Sequence, residues 1–126
     1  MIKEKMLIWK REYDLPVQFE CYPGENVLPT QEEALKKLIH ASKHEFDVAE
    51  QKVKQYLAEQ NPDVFPGNEV ANIFCYVVPK SIYVPHIREH CIAAVLCYYR
   101  LDLEHGLALV FEDGKFQSVG PEDVVL

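Results

Sequence analysis

The sequence predicts an α+β domain: a largely antiparallel sheet of about six strands with a helical region packed on one face. Three observations carry that prediction. Leu35, Leu38, Ile39, Ser42, Phe46, Ala49, Val53, Tyr56 and Leu57 recur at steps of three and four, the mark of one apolar helical face. Short runs rich in Val, Ile, Tyr and Phe lie on both sides of that region. Asp113-Gly114 separates two of them, a strong signal for a two-residue hairpin turn. Strands flanking a run of helices point to α+β architecture.

Each element follows from local chemistry. Residues 6–12 and 17–22 read as two strands, with Asp14-Leu15-Pro16 as the connection between them and Pro23-Gly24 ending the second. Thr30 and Glu33 have capping-box spacing, so the helical region is expected to start there. The small and polar residues Ser42-Lys43-His44 mark a place for a kink, and Pro62 ends the pattern. Val70, Ile73, Phe74, Val77 and Val78 fall at helical spacing, Asn68 is in place to cap them, and Pro79 would stop them. A short helix is therefore expected over residues 69–77, followed by a strand over 81–84. Residues 91–99 are almost wholly apolar or aromatic and suit a central strand covered on both faces. Residues 107–112 and 115–119 form the last hairpin.

Size and composition narrow the function. The 126 residues suit one domain spanning 1–126, with no repeat or linker. With 48% hydrophobic and 26% charged residues, the chain can bury a core without disulfides or a metal. A net charge of -7 disfavours nucleic acid and favours a basic protein partner. Lys36, Lys37 and Lys43 are offset by Glu32, Glu33 and Glu45. Cys21, Cys75, Cys91 and Cys97 form no Cys-x-x-Cys pair; three sit in apolar runs, which suggests reduced core thiols. Met1-Ile2-Lys3-Glu4-Lys5 is too charged for a secretory signal, and no apolar run is long enough to span a bilayer. The expectation is a cytoplasmic protein with no membrane, metal or cofactor requirement.

The densest polar chemistry is the corner Asp102, Glu104, His105 and Gly106. Were a strand to run through it, Asp102 and Glu104 would share a face and His105 would take the other. Two carboxylates can bind a cation and an imidazole can act as a base. The same residue types also build a turn: Asp accepts backbone amides, and Gly permits an unusual dihedral. The structural role is preferred, because no nucleophile or phosphate loop accompanies the cluster. His40 with His44, and His86 with His90, have i, i+4 spacing, but two ligands do not close a zinc site. Most aromatics read as core, while Trp9 and Tyr13, on an edge hairpin, are candidates to anchor a partner.

The C-terminal stretch resembles a family of small uncharacterised bacterial α+β domains. Their signature is an aromatic residue, Asp, any residue, Glu-His-Gly-Leu, a strand, a turn and a final Val-Gly-x-x-Asp. The matching residues are Asp102, Glu104, His105, Gly106, Leu107, Val119, Gly120 and Asp123. Leu101 stands where the family often has Trp. The similarity extends more weakly over residues 31–56 and 79–84. Such domains resemble proteins found near bacterial toxin loci, which implies an immunity or other protein-binding role. The expectation is a protein-binding domain with no catalytic residues. Two alternatives stand beside it. One is a metal-dependent or hydrolytic enzyme using Asp102, Glu104 and His105, with His86 or His90 as an optional addition. The other is a structural homo-oligomer paired through the N-terminal hairpin edge.

Overall fold

The computed structural model describes residues 2–125, with Asn68 described by its backbone alone. Among these residues the order is β1 (Lys3–Ile8), β2 (Arg11–Phe19), α1 (Pro29–Ile39), α2 (Lys43–Gln60), β3 (Val77–Val84), β4 (Ile92–Tyr99), β5 (Leu107–Glu112) and β6 (Lys115–Gly120). Short 3-10 turns occupy Pro66–Asn68, Ile73–Cys75 and Glu122–Val124. The strands form one six-stranded sheet in sequence order. Every neighbouring pair is antiparallel except β2 with β3, whose connection carries both helices. The α+β architecture expected from the sequence is therefore present.

The first hairpin differs from expectation. Its turn is Trp9-Lys10, not Asp14-Leu15-Pro16, and β2 runs straight through the latter residues. Trp9 and Lys10 both have positive φ, 51° and 70°, the backbone of a type I′ turn. Pro16 is tolerated inside β2 for a specific reason. The Val17 amide donates to the Ile2 carbonyl at 2.8 Å, so the next facing pair, Lys3 with Pro16, is a non-bonded one. The missing Pro16 N–H is not needed there.

The helical region is two helices. Ser42 begins α2, its hydroxyl accepting the Glu45 amide at 3.3 Å, which is where the sequence marks a kink. The start of α1 is not the Thr30/Glu33 box. Leu28 is the cap residue, Pro29 occupies the first turn, and Gln31 Oε1 accepts the Leu28 amide at 2.8 Å. The Thr30 hydroxyl instead donates to the Ile87 carbonyl at 2.7 Å. Ala34, Leu35 and Leu38 of α1, with Phe46, Ala49, Val53 and Leu57 of α2, face the sheet. Across that interface Phe46 meets Phe111 at 5.1 Å between ring centroids, and Phe111 meets Phe116 at 5.6 Å. Such aromatic pairs add about 1 kcal/mol each beyond the area they bury.

No helix forms over residues 69–77. Ile73–Cys75 make one 3-10 turn, with Asn72 Oδ1 accepting the Phe74 amide at 3.1 Å. Val77 already pairs with Tyr99, so β3 begins there rather than at Ser81. The β-branched run is drawn into the sheet, where pairing with β4 outweighs the local helical period. The Asn68 side chain, named as a cap for that helix, lies outside the described residues.

Strand β4 is central, as expected. Ala93, Val95, Cys97 and Tyr99 enter the main core beneath the helices. Ala94 and Leu96 face the other way and make a small second cluster with Tyr83 and Ala108, against which Val110 and Val125 pack. Of the cysteines, only Cys97 is fully buried, and burial pushes its thiol pKa up. Cys91 is half-buried, whereas Cys21 and Cys75 are exposed, which corrects the expectation of a core role for Cys75. Among the described residues no helix is long and apolar enough to cross a membrane.

The last hairpin turns at Asp113-Gly114, with φ of 54° and 78°. A β-carbon on Gly114 would come within 2.8 Å of the Lys37 carbonyl oxygen, so this tip seats against the end of α1 only as glycine. Lys37 also reaches Asp113 Oδ1 at 2.9 Å, which holds the Asp113 carboxyl below its ordinary pKa.

Candidate functional site

The corner between β4 and β5 is a closed turn, not a strand. The Asp102 amide donates to the Tyr99 carbonyl, and the Gly106 amide donates to the Asp102 carbonyl, both at 3.0 Å. Asp102 and Glu104 therefore do not share a strand face. Asp102 Oδ1 accepts the His105 backbone amide at 3.3 Å, and its carboxylate lies 2.9 Å from His105 Nδ1. Glu104 is exposed and Leu103 projects at the tip. Gly106 has φ of 62°, and a β-carbon there would come within 2.6 Å of the Glu122 carboxylate. The Glu122 amide in turn donates to the His105 carbonyl at 3.0 Å. The corner thus ties the C-terminal 3-10 turn to the end of the sheet. Its Asp102 and His105 side chains are directed at each other and at backbone, while Glu104 faces outward.

His105 is exposed, and its pKa is raised, first by the hydrogen bond to Asp102 and then by that carboxylate's charge. An imidazole whose folded pKa is raised contributes stability below its ordinary value, and that contribution is lost as pH rises through the folded one. In an NMR titration, His105 is expected to have a midpoint above the ordinary 6.5 and to fall in Asp102→Asn. A wild-type midpoint at or below 6.5 would contradict the pairing.

The histidine pairs do not converge. His40 ends α1 and His44 begins α2, so no single helix carries both. His86 Nε2 lies 3.1 Å from Glu25, without the alignment of a hydrogen bond, whereas His90 Nδ1 lies 3.2 Å from Glu112. Among the described residues no three His, Cys, Asp or Glu side chains gather as ligands for a metal.

Trp9 and Tyr13 are not outward anchors. Trp9 is 8% exposed; its indole N–H donates to the Phe46 carbonyl at 2.9 Å and its ring lies 5.9 Å from that of Phe74. Tyr13 packs against the core, and burial raises its pKa. Trp9 instead floors a groove of about 380 Å³ between β1 and the start of α2. The sequence contains no local signal for that groove, because residues 5–10 and 39–50 meet only in the fold.

The outward sheet face holds a different feature. Val78 of β3 and Tyr98 of β4 are directly opposed, 37% and 57% exposed. Lys80 Nζ lies 5.0 Å from the Tyr98 ring centroid and 2.7 Å from Glu122 Oε1. Since Leu15, Val17 and Phe19 face the core, alternation sends Asp14 and Gln18 to the outer face of β2, and Glu20 follows just past its end. Tyr83 there donates its hydroxyl to Glu20 Oε2.

A family model described as "Domain of unknown function (DUF6985)" matches residues 3–126. The chain belongs to this family. Searches of curated proteins and of solved structures returned no match. The DUF6985 match takes in both hairpins, both helices and the corner, so the whole sheet belongs to the family unit.

Proposed function

We propose that this DUF6985 chain is a bacterial, cytoplasmic protein-recognition domain, of the immunity type that its C-terminal signature resembles, and that it neutralises a basic toxin by covering part of its surface. The observation that carries the reading is the exposed Val78–Tyr98 pair on the sheet face opposite the helices, where Lys80 lies over the Tyr98 ring with its charge met by Glu122. An exposed aromatic anchor on a chain of net acidic charge suits a basic partner surface. The net charge of -7 would speed encounter with such a partner and make it sensitive to salt. The Asp102–His105 corner serves here as a brace for the sheet end.

The purified protein, used as bait in lysate of its own source, is expected to retain a specific basic protein at about 0.05 M salt and to lose it toward about 0.5 M. Tyr98→Asp is expected to abolish the capture. Recovery of no specific partner at any salt would overturn the proposal.

A further inference from the structure

The two edges of the sheet are treated differently. At β6, the Phe116 amide is taken by Glu45 Oε1 from α2 at 2.9 Å, so the helix occupies part of that edge. At β1, among the described residues, no strand pairs on the outer side. The hydrogen-bond register identifies the groups left free. Ile2 bonds Val17, so Glu4, Met6 and Ile8 turn their amides and carbonyls inward to β2. Lys3, Lys5 and Leu7 turn theirs outward. Three alternate residues along one edge thus offer an unfilled ladder.

Beside that ladder lies the groove between β1 and α2. Its floor is Met6, Trp9, Ile39 and Phe46, and it is bordered by the β1 edge at Lys5 and the hairpin turn at Lys10. On the helix side Asp47 is met by Lys43 at 3.2 Å, and Glu50 by Lys54 at 3.9 Å. Lys5 and Lys10 have no carboxylate within ion-pair distance among the described residues. Exposed Lys3, Lys5 and Lys10 thus set positive charge along the β1 edge of a chain of net charge -7, with Asp14 facing Lys5 across the hairpin but forming no ion pair with it among the described residues. Those lysines oppose pairing with a second β1, which would bring Lys3 and Lys5 of two copies together.

We propose that the free edge of β1 binds an extended segment in which acidic residues alternate with apolar ones, added to the sheet as a seventh strand. The backbone of the segment completes the ladder at Lys3, Lys5 and Leu7. Strand alternation sends its apolar side chains into the groove over Trp9 and Phe46, and its carboxylates to the opposite face beside Lys3 and Lys5. This surface is separate from the Val78–Tyr98 face and does not depend on the function proposed above.

The probe is a blocked ten-residue peptide of alternating Glu and Val, with a Lys/Val peptide as its counterpart. Trp9, the single tryptophan, reports from the groove floor. The Glu/Val peptide is expected to give a saturable change in Trp9 fluorescence and to shift the amide NMR signals of Lys3, Lys5 and Leu7. The exposed double variant Lys5→Glu, Lys10→Glu is expected to stay folded and to weaken binding about tenfold or more. N-methylation of alternate peptide amides is expected to abolish binding, since it removes the ladder donors. Absence of saturable binding, equal binding of the Lys/Val peptide, or unchanged affinity in the double variant would overturn the proposal. A concentration-dependent dimer in light scattering that Leu7→Pro dissociates would also overturn it, by assigning the edge to a second copy. Failure of lysate capture would leave these outcomes unaffected.

Discussion

Trp9→Ala is expected to destabilise the protein by about 4 kcal/mol, in the range for truncating a buried aromatic side chain. The indole joins three parts of the chain: the type I′ turn of the first hairpin, the Phe46 carbonyl in α2, and the Phe74 ring before β3. Its removal opens the floor of the β1–α2 groove and frees the hairpin tip together. Trp9→Phe keeps most of the apolar contact and loses the N–H donor, so its cost is expected to be only about 1–2 kcal/mol. Urea unfolding followed by far-ultraviolet circular dichroism measures both. A loss below about 1 kcal/mol in Trp9→Ala would mean that the ring does not join hairpin to helix.

The second large effect is expected at Gln31, which is 1% exposed. Its Nε2 donates to the Glu20 carbonyl at 2.9 Å and to the Val84 carbonyl at 3.1 Å, while its Oε1 accepts the Leu28 amide. One side chain thus closes the ends of β2 and β3 and the start of α1, where the parallel strand pair is made. Gln31→Leu preserves volume and removes all three bonds. The Val84 carbonyl keeps the Glu20 amide at 2.9 Å, but the Glu20 carbonyl and the Leu28 amide lose this partner. Two part-buried groups left without it cost about 2 kcal/mol together. Gln31→Glu separates hydrogen bonding from volume. A buried carboxylate facing two carbonyls is unfavourable, so its pKa rises, and the variant is expected to lose more stability near pH 7 than near about pH 4. Equal losses at both pH values would contradict this geometry.

The sequence exposed some of this architecture and concealed the rest for identifiable reasons. The helical faces and the Asp113-Gly114 hairpin were legible because their signals are local: three- and four-residue spacing, and a dipeptide suited to positive φ. The Trp9-Lys10 turn was not legible, since it adopts the same backbone without Gly or Asn, while Asp14-Leu15-Pro16 resembles a turn and lies within a strand. Residues 69–77 carry helical spacing, but long-range pairing of Val77 with Tyr99 decides their structure. The Asp102 corner was legible as a turn from its residue types, and its bonds to His105 agree. Gln31 offered only half a signal: its spacing from Leu28 is that of a capping box, but Leu28 has no side-chain acceptor. The groove and the Val78–Tyr98 pair could not be read locally, because each joins residues distant in sequence.

In the proposed function, recognition belongs to the outer sheet face and the Asp102–His105 turn is a brace. Hydrogen exchange of the captured complex, read residue by residue by NMR or by overlapping peptides, tests it most directly. New protection is expected to centre on Val78 and Tyr98, with Asp102 to Gly106 exchanging alike in free and bound protein. Protection centred on the Asp102 turn, with Val78 and Tyr98 unchanged, would contradict it.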